Sequence, residues 1–588
     1  MKTKIYFLTT LLCTILFTTG CNDKYLDRPP LDSLNDANFW QEQETSIGAS
    51  TACYDWINKS NTLDYEYLSD NNLYYSNTDY LENISAGFST NYDGNAANLW
   101  AWGYGAIRRC NTFIENYQKG TYDPILKERL GAEVRFLRAY YYAQLITMFG
   151  DVPFITKTIS PGDPEVYGKR NPKSVILDFV LKEFQDAADI LPVSYSNPER
   201  GRATKGAALA MKSRYALYNG KYDIAEKAAA DVMNLGYKLY DVGNTRINYY
   251  MLFRYSGKPS TNNANLEDIF WRPYLVNKVF HNLSRELQLP TTRPDEYIRW
   301  SPTKSLVDSY LCTDGLPIDK SPLYKGARSN DPGNATYEDY WRNRDPRMSQ
   351  TILSPRKVVD EDALTTGKAS GDLGYWLGNN KPFLGPSFPG SPNTTMTRTG
   401  FYFCKYAEIG GTPNGNANVS SNIALYNYDW NDIRIIRYAE VLLTYAEACL
   451  EQNKLTQGIV DVTINVLRKR VGMRDMNLIE LQNAGIDART EIRRERRVEL
   501  ALDGTRYFDI LRWKLGSLLA DDKKGMNKML VEKQFPSQKV NTDINNTDVM
   551  GDLILFSGRI FNTNKHYLWP IPQSQIVLNS NLTQNPQW

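Results

Sequence analysis

The chain has 588 residues, of which 42% are hydrophobic, with 68 Lys and Arg against 66 Asp and Glu and only two His. That is enough apolar material for one large domain or two intertwined ones. A near-neutral balance argues against a nucleic-acid partner, which demands a basic surface, and against a strongly charged substrate.

Lys2 and Lys4 open the chain, followed by an apolar run from Ile5 to Phe17, then Thr18-Thr19-Gly20 and Cys21. A charged start and an apolar core too short to span a bilayer predict a secretory signal over residues 1–20. A cysteine directly after small residues resembles the processing site of bacterial lipoproteins, with Thr18 where leucine is usual. Cys21 is then the lipidated mature N-terminus. Several acyl chains, at about 0.8 kcal/mol per buried CH₂, anchor such a protein firmly to a membrane. Loss of Lys2 and Lys4 leaves 66 basic residues against 66 acidic ones, so the mature chain is formally neutral. Residues 21–36, with Arg28-Pro29-Pro30 and little periodicity, read as a tether. No later run is both long and apolar enough to span a bilayer. Beyond Cys13 and Cys21, the five cysteines Cys53, Cys110, Cys312, Cys404 and Cys449 are scattered and lack metal-ligand spacing. They predict buried free thiols and no metal site.

Helical signals follow. Asp123-Pro124 supplies an N-cap and a first-turn proline, and Leu126, Leu130, Val134, Leu137, Tyr141, Leu145 and Met148 recur at helical spacing until Gly150. This predicts an amphipathic helix of about seven turns. A helical pair is expected next, one helix from about Ala203 to Asn219 and a second opened by an Asp223/Glu226 capping box and closing near Gly236. Small residues and tyrosines around Tyr215–Ala229 resemble a tetratricopeptide unit. A second pair is expected downstream, a helix over Asp432–Asn453 and a partner near Ile459–Val471. Residues 241–430 between the blocks are rich in Gly, Pro, Asn and Ser. The fold class expected is mostly α, a tetratricopeptide-like helical hairpin scaffold with a large loop-rich insertion. Its parts are an N-terminal helical region at 37–240, the insertion at 241–430, and a C-terminal helical region at 431–588 packing on the first.

Several ordered segments together resemble the SusD/RagB family of outer-membrane nutrient-binding lipoproteins. Trp100, Tyr104, Ile107 and Asn111 fit an early W-x-x-x-Y-x-x-I-x-x-x-N helix, and Glu133–Tyr142 runs on to Phe149-Gly150-Asp151-Val152-Pro153. The clearest segment begins at Ile492 and includes Glu495-Arg496-Arg497, Glu499-Leu500, Asp503-Gly504, Arg506-Tyr507, Asp509 and Arg512-Trp513. Trp569-Pro570-Ile571-Pro572 and Gln584-Asn585-Pro586 follow, while the final Gln587-Trp588 departs from the usual Gly-aromatic ending. The resemblance implies a surface-exposed, lipid-anchored protein of the outer membrane. Such a protein captures oligosaccharide or polysaccharide and delivers it to a TonB-dependent, SusC-like transporter. It implies binding, not catalysis; a peptide cargo is the alternative, and a glycoside hydrolase a third reading. The motifs themselves read as structural. Acids at Glu491, Glu495 and Glu499 interleave with Arg493, Arg494, Arg496 and Arg497 at helical pairing distance, and Trp513 and Trp569 read as packing residues.

The ligand site is sought where aromatics crowd with amides and carboxylates. The chain has 40 Tyr, 21 Phe and 12 Trp, and Tyr and Trp join an apolar face to a polar tip, which suits sugars. The first cluster is Asp70, Asn71, Asn72, Tyr74, Tyr75, Asn77, Asp79 and Tyr80, followed by Asn98 and Trp102 in the region where the family commonly places part of its glycan site. A second runs from Trp271 to Trp300 and includes His281, Arg293 and Tyr297. A third gathers Tyr337, Tyr340, Trp341 and Trp376. The expected ligand residues are Asp70, Asn72, Tyr74, Tyr75, Tyr80, Asn98, Trp102, Trp271, Tyr297 and Trp300. With His281 and His566 the only histidines, and no HExxH, GxSxG, Walker A or Cys-x-x-Cys pattern, the common enzyme routes and cofactors lack support. Paired glycosidase carboxylates stay open, because their separation in space is not legible in a sequence. The Asn91-Tyr92-Asp93-Gly94-Asn95 turn offers oxygen ligands for calcium without an EF-hand pattern.

Overall fold

The computed structural model of the chain describes residues 39–58, 60, 62–74, 80–276, 278–287, 299–329, 331–354, 397–406, 429–534 and 546–588. Cys21 and the tether, Tyr75, Asn77, Asp79, Arg293, Tyr297 and Trp376 lie outside the described residues.

The N-terminal helices are α1 (Gln43–Ala52), α2 (Gly94–Asn116), α3 (Pro124–Phe149), α4 (Lys173–Ile190), α5 (Lys205–Tyr218) and α6 (Tyr222–Met233). Local chemistry sets their ends. Asp93 caps α2 by accepting from the N–H groups of Asn95 and Ala96, which gives the acidic turn a role in the backbone. Asp123 caps α3 through the Ile125 N–H with Pro124 in the first turn, and Gly150, at φ +72°, ends it. Thr204 caps α5 through the Ala207 N–H. The expected Asp223/Glu226 capping box does not form. Lys221 occupies the N-cap without a side-chain bond. Glu226 instead accepts from Gln452 and Lys454 at 2.7 Å each, tying this hairpin to the C-terminal one. Buried alanines on both members, among them Ala207, Ala208, Ala225 and Ala229, let α5 and α6 pack as a hairpin.

The C-terminal region includes the helices α7 (Tyr438–Glu451), α8 (Gln457–Val462), α9 (Ile464–Arg470), α10 (Ala488–Glu499) and α11 (Arg506–Arg512). Two expectations change here. The segment expected as a helix from Asp432 opens as a buried strand over Ile433–Arg437, where three isoleucines favour extended backbone. The partner helix is two helices, broken at Thr463 (φ −123°, ψ −85°), whose hydroxyl donates to the Ile459 carbonyl at 2.6 Å.

Among the described residues, six strands form three antiparallel pairs: β1 (Asn72–Tyr74), β2 (Asp268–Arg272), β3 (Trp300–Pro302), β4 (Ile433–Arg437), β5 (Lys523–Asn527) and β6 (Asp552–Phe556), joined as β1·β3, β2·β4 and β5·β6. The fold is mostly α. One hydrophobic core runs through α2–α6 and takes in Trp569 and Ile571 from the C-terminus. A second lies beneath β1 and β3 and the loops, and a third between α7, α9 and α10.

Much of the tyrosine excess is used inside. The hydroxyls of Tyr141, Tyr142 and Tyr249 donate to the carbonyls of Cys53, Ile155 and Glu499 at 2.6, 2.7 and 2.6 Å, pinning loop backbone to helices. Cys53, Cys110, Cys312, Cys404 and Cys449 are buried free thiols. Among the described residues, no helix is long and apolar enough to cross a membrane. Among the same residues, no group of three or more His, Cys, Asp or Glu could hold a metal ion.

Candidate functional site

The pairing of β1 with β3 brings the first two aromatic clusters of the sequence together. Asn72 faces Pro302, Leu73 faces Ser301 and Tyr74 faces Trp300. The pair is fastened at its base, where Thr303 donates its N–H to the Asn71 carbonyl (2.9 Å) and its hydroxyl to the Asp70 carbonyl (2.6 Å). The Tyr74 ring, half-buried, meets Tyr67 edge to face at 4.8 Å, and Tyr67 lies 4.4 Å from Trp300. Glu286 holds this aromatic stack from below. Its Oε2 accepts from Trp300 Nε1 (3.1 Å) and the Tyr67 hydroxyl (3.3 Å), and its Oε1 from Asn282 (2.9 Å). The result is a β1–β3 ledge whose floor, Tyr67 and Trp300, is buried in the second core and whose rim is the half-buried Tyr74 ring.

Three expected ligand residues are corrected by this geometry. Trp300 is 1% exposed and offers no open face, because its ring is the floor of the ledge. Asn72 is buried, its Oδ1 accepting from the Ser301 N–H at 3.0 Å. Asp70 is gripped through both oxygens by Arg506 (2.8 and 2.9 Å) and by Arg497 (3.1 Å). Burial alone would raise the Asp70 carboxyl; the two guanidiniums hold it well below the usual carboxylate range. Beside it a cavity of about 610 Å³ is lined by alternating charges, among them Lys304, Arg497, Lys523, Asp552 and Arg559. Lys523, brought down to about 8 by burial against the opposing pull of Glu82, donates to the Asn72 carbonyl at 2.6 Å.

The other expected residues fall elsewhere. Asn98 and Trp102 sit one turn apart on the exposed side of α2, Trp102 at 38% exposure, while Leu99, Trp100 and Gly103 turn inward. Tyr80 opens a short helix, Tyr80–Ser85. Trp271 lies on β2, a different sheet from Trp300, and lines a second cavity of about 340 Å³ with Tyr195 and Tyr237. His281 is buried, its Nε2 2.8 Å from the Asn431 carbonyl, and Tyr337, Tyr340 and Trp341 belong to the second core. Sequence reasoning missed Tyr67, Asn282 and Glu286. Nothing local marks Glu286 or Asn282 as supports; the signal for Tyr67 was its spacing from Tyr65 within Leu63–Leu68, a buried 3₁₀ segment.

Comparison with known proteins places the chain. The SusD family model matches residues 260–588, more than half of the chain, and a second, described as "Starch-binding associating with outer membrane", matches residues 24–217. A SusD-like protein, P2, of Formosa agariphila is 25% identical over 504 residues, 84% of this chain and 80% of that protein. A SusD-like protein of Bacteroides ovatus is 24% identical over 536 residues, 87% of this chain and 83% of its own length. The crystal structure of a SusD-like carbohydrate binding protein from Bacteroides fragilis superposes with a TM-score of 0.73 at 28% identity, covering 93% of this chain and all of that one. With its motifs in order and the fold shared along nearly its whole length, the chain belongs to the SusD family.

Proposed function

We propose that this chain is a glycan-binding lipoprotein of the outer-membrane surface, anchored through Cys21, that captures oligosaccharide or polysaccharide for a TonB-dependent, SusC-like transporter. The observation that carries the reading is the register of β1 on β3, which seats Tyr74 against the Tyr67–Trp300 floor. A sugar ring stacks its C–H face on such a rim, while its hydroxyls exchange water for protein partners at small net gain. Binding is therefore moderate in strength and set by stacking and shape. A formally neutral mature chain suits neutral glycans. Glu286, 5% exposed with both oxygens engaged by Tyr67, Trp300 and Asn282, serves to hold rings and is not placed to protonate a glycosidic oxygen. In this reading Glu286 supports the rings of a binding surface and is not a glycosidase acid.

The test is calorimetry on residues 22–588 against purified neutral and acidic plant, host and microbial polysaccharides. Saturable heat with at least one glycan and no new reducing ends is expected. Tyr74→Ala should weaken that binding about tenfold, the worth of one aromatic contact. Heat with none of the glycans, or release of reducing ends, would overturn the reading; peptide competition then tests the alternative cargo.

A further inference from the structure

We infer that the cavity between the α4–α5 loop and β2 is a second sugar-binding site, taking one or two rings of a neutral glycan separately from the β1–β3 ledge; this rests on the glycan-binding reading above. The cavity holds about 340 Å³, at the lower end of the ~300–1,000 Å³ typical of small-ligand pockets. Three half-buried aromatic side chains line it: Tyr195 from the loop, Tyr237 from beyond α6, and Trp271 from β2. Each comes from a different element, so the fold, not sequence proximity, assembles them.

The walls are preformed. The loop is clamped to α3 by Arg129 on Glu199 (2.8 and 2.5 Å) and by Arg202 on Glu133 (2.8 Å). Tyr195 is fixed at both ends, its hydroxyl donating to Glu133 at 3.3 Å and its ring lying 5.2 Å from the Arg129 guanidinium. Gly201, at φ +102°, brings the loop against β2; a Cβ there would sit 3.2 Å from Pro273 and 3.5 Å from Trp271 Nε1. Trp271 is set by its pairing with Arg434 on β4. Ordered rings of this kind lose little freedom on binding.

The lining chemistry selects the ligand. Amphipathic rings stand beside Ser194, Ser196, Asn197 and Asn263, a mix of stacking faces and neutral hydrogen-bonding groups. The serine hydroxyls and asparagine amides of the lining both donate and accept, and sugar hydroxyls, which do the same, are the chemistry that fits it. Of the charges present, Asp268 is paired with Arg434 at 3.0 Å, while Arg200 donates to the neutral Asn263 side chain and the Asn262 carbonyl. The uncharged serines and asparagines of the lining favour a neutral sugar, whose hydroxyls accept from a guanidinium as readily as from an amide.

The test is calorimetry of residues 22–588 with laminaritriose, maltotriose, mannotriose and xylotriose as probes. The expected result is two binding events per chain with at least one of them. Trp271→Ala should remove one event and leave the one that Tyr74→Ala removes. Ser196→Trp, which fills the exposed rim without disturbing the core, should do the same and keeps the test valid if Trp271→Ala fails to fold. One event per chain, lost in Tyr74→Ala and untouched by Ser196→Trp and Trp271→Ala, overturns the second site and leaves the glycan-binding function standing. Absence of heat with every trisaccharide and every polysaccharide overturns both.

Discussion

Replacing Trp300 by alanine separates a wall from a floor. On sequence grounds Trp300 belongs to an exposed loop platform, and its loss should touch affinity alone. The structure predicts the reverse. The side chain is 1% exposed, its ring packs 4.4 Å from Tyr67, and its indole N–H donates to Glu286 at 3.1 Å. Truncating a buried Trp or Phe to Ala costs about 3–5 kcal/mol, and withdrawing a donor from a buried carboxylate about 1.5–3 kcal/mol more. The two losses overlap, because relaxation that fills the void also moves Glu286, so about 4–6 kcal/mol is expected. At ~2–4 °C per kcal/mol for domains of 150–250 residues, and less for longer chains, this is a fall of roughly 5–10 °C in the thermal midpoint. Differential scanning calorimetry with near-UV circular dichroism reads it directly. Tyr74→Ala, at a half-buried position, should shift the midpoint far less while weakening glycan binding. A Trp300→Ala protein with the wild-type midpoint and reduced glycan affinity would refute the reasoning, since it would make Trp300 a surface ring.

Two other changes test the charge and backbone arguments. Burial raises Asp552 to about 6 despite Lys304, with Asp308 and Asp548 adding to the rise. A carboxyl raised in the folded state contributes stability that is full below its unfolded value of 3.8 and is lost as pH climbs through about 6. Asp552→Asn should remove about 2–3 kcal/mol of that pH dependence. The urea midpoint of the variant should therefore change less between pH 4 and pH 7 than that of the wild type; identical profiles would sink the assignment. Gly504→Ala should abolish folding, because φ there is +71° and a Cβ would lie 2.2 Å from the Thr62 carbonyl oxygen. Soluble Gly504→Ala protein with an unchanged midpoint would show that this turn can move.

What the sequence made legible is what short-range physics decides. The cap at Asp123 acts locally, and the period of α3 is carried by its own residues. The order of the family motifs is likewise a one-dimensional fact. Burial of a ring is a long-range one: whether Trp300 faces water depends on Tyr67 and Tyr74, more than two hundred positions earlier. The same holds for Ile433–Arg437, where Arg434 and Arg437 fall within the segment expected as a helix. They are buried on Asp268 (3.0 Å) and on Glu267 and Asp503 (2.6 Å each), residues that a periodicity count does not pair. Trp271 and Trp300 fell in one sequence cluster, yet they lie on different sheets, because β2 finds its partner in β4 and β3 finds its own in β1.

The C-terminal motif shows how a structural feature reaches the candidate site. Along α10, Glu491 and Glu495 accept from Arg468 at 2.8 and 2.9 Å, Glu499 pairs with Arg470 at 2.7 Å and Arg347 at 3.1 Å, and Arg496 meets Asp509 at 2.7 Å. Burial would push Glu499 up; the guanidiniums of Arg470, Arg437 and Arg347 bring it down to about 2. Such buried pairs contribute little net stability against an apolar core of the same shape, but losing one partner costs about 3–5 kcal/mol, so they fix one arrangement at the expense of others. On the next position of the helix, Arg497 leaves this network and reaches Asn71 (2.8 Å) and Asp70 (3.1 Å), while Arg506 from α11 closes on the same Asp70. Asp70 and Asn71 lead directly into β1, and β1 carries Tyr74. The motif therefore touches no sugar in the proposed reading, yet it sets where the rim of the ledge stands, and its glutamates and arginines must be paired for that position to be unique.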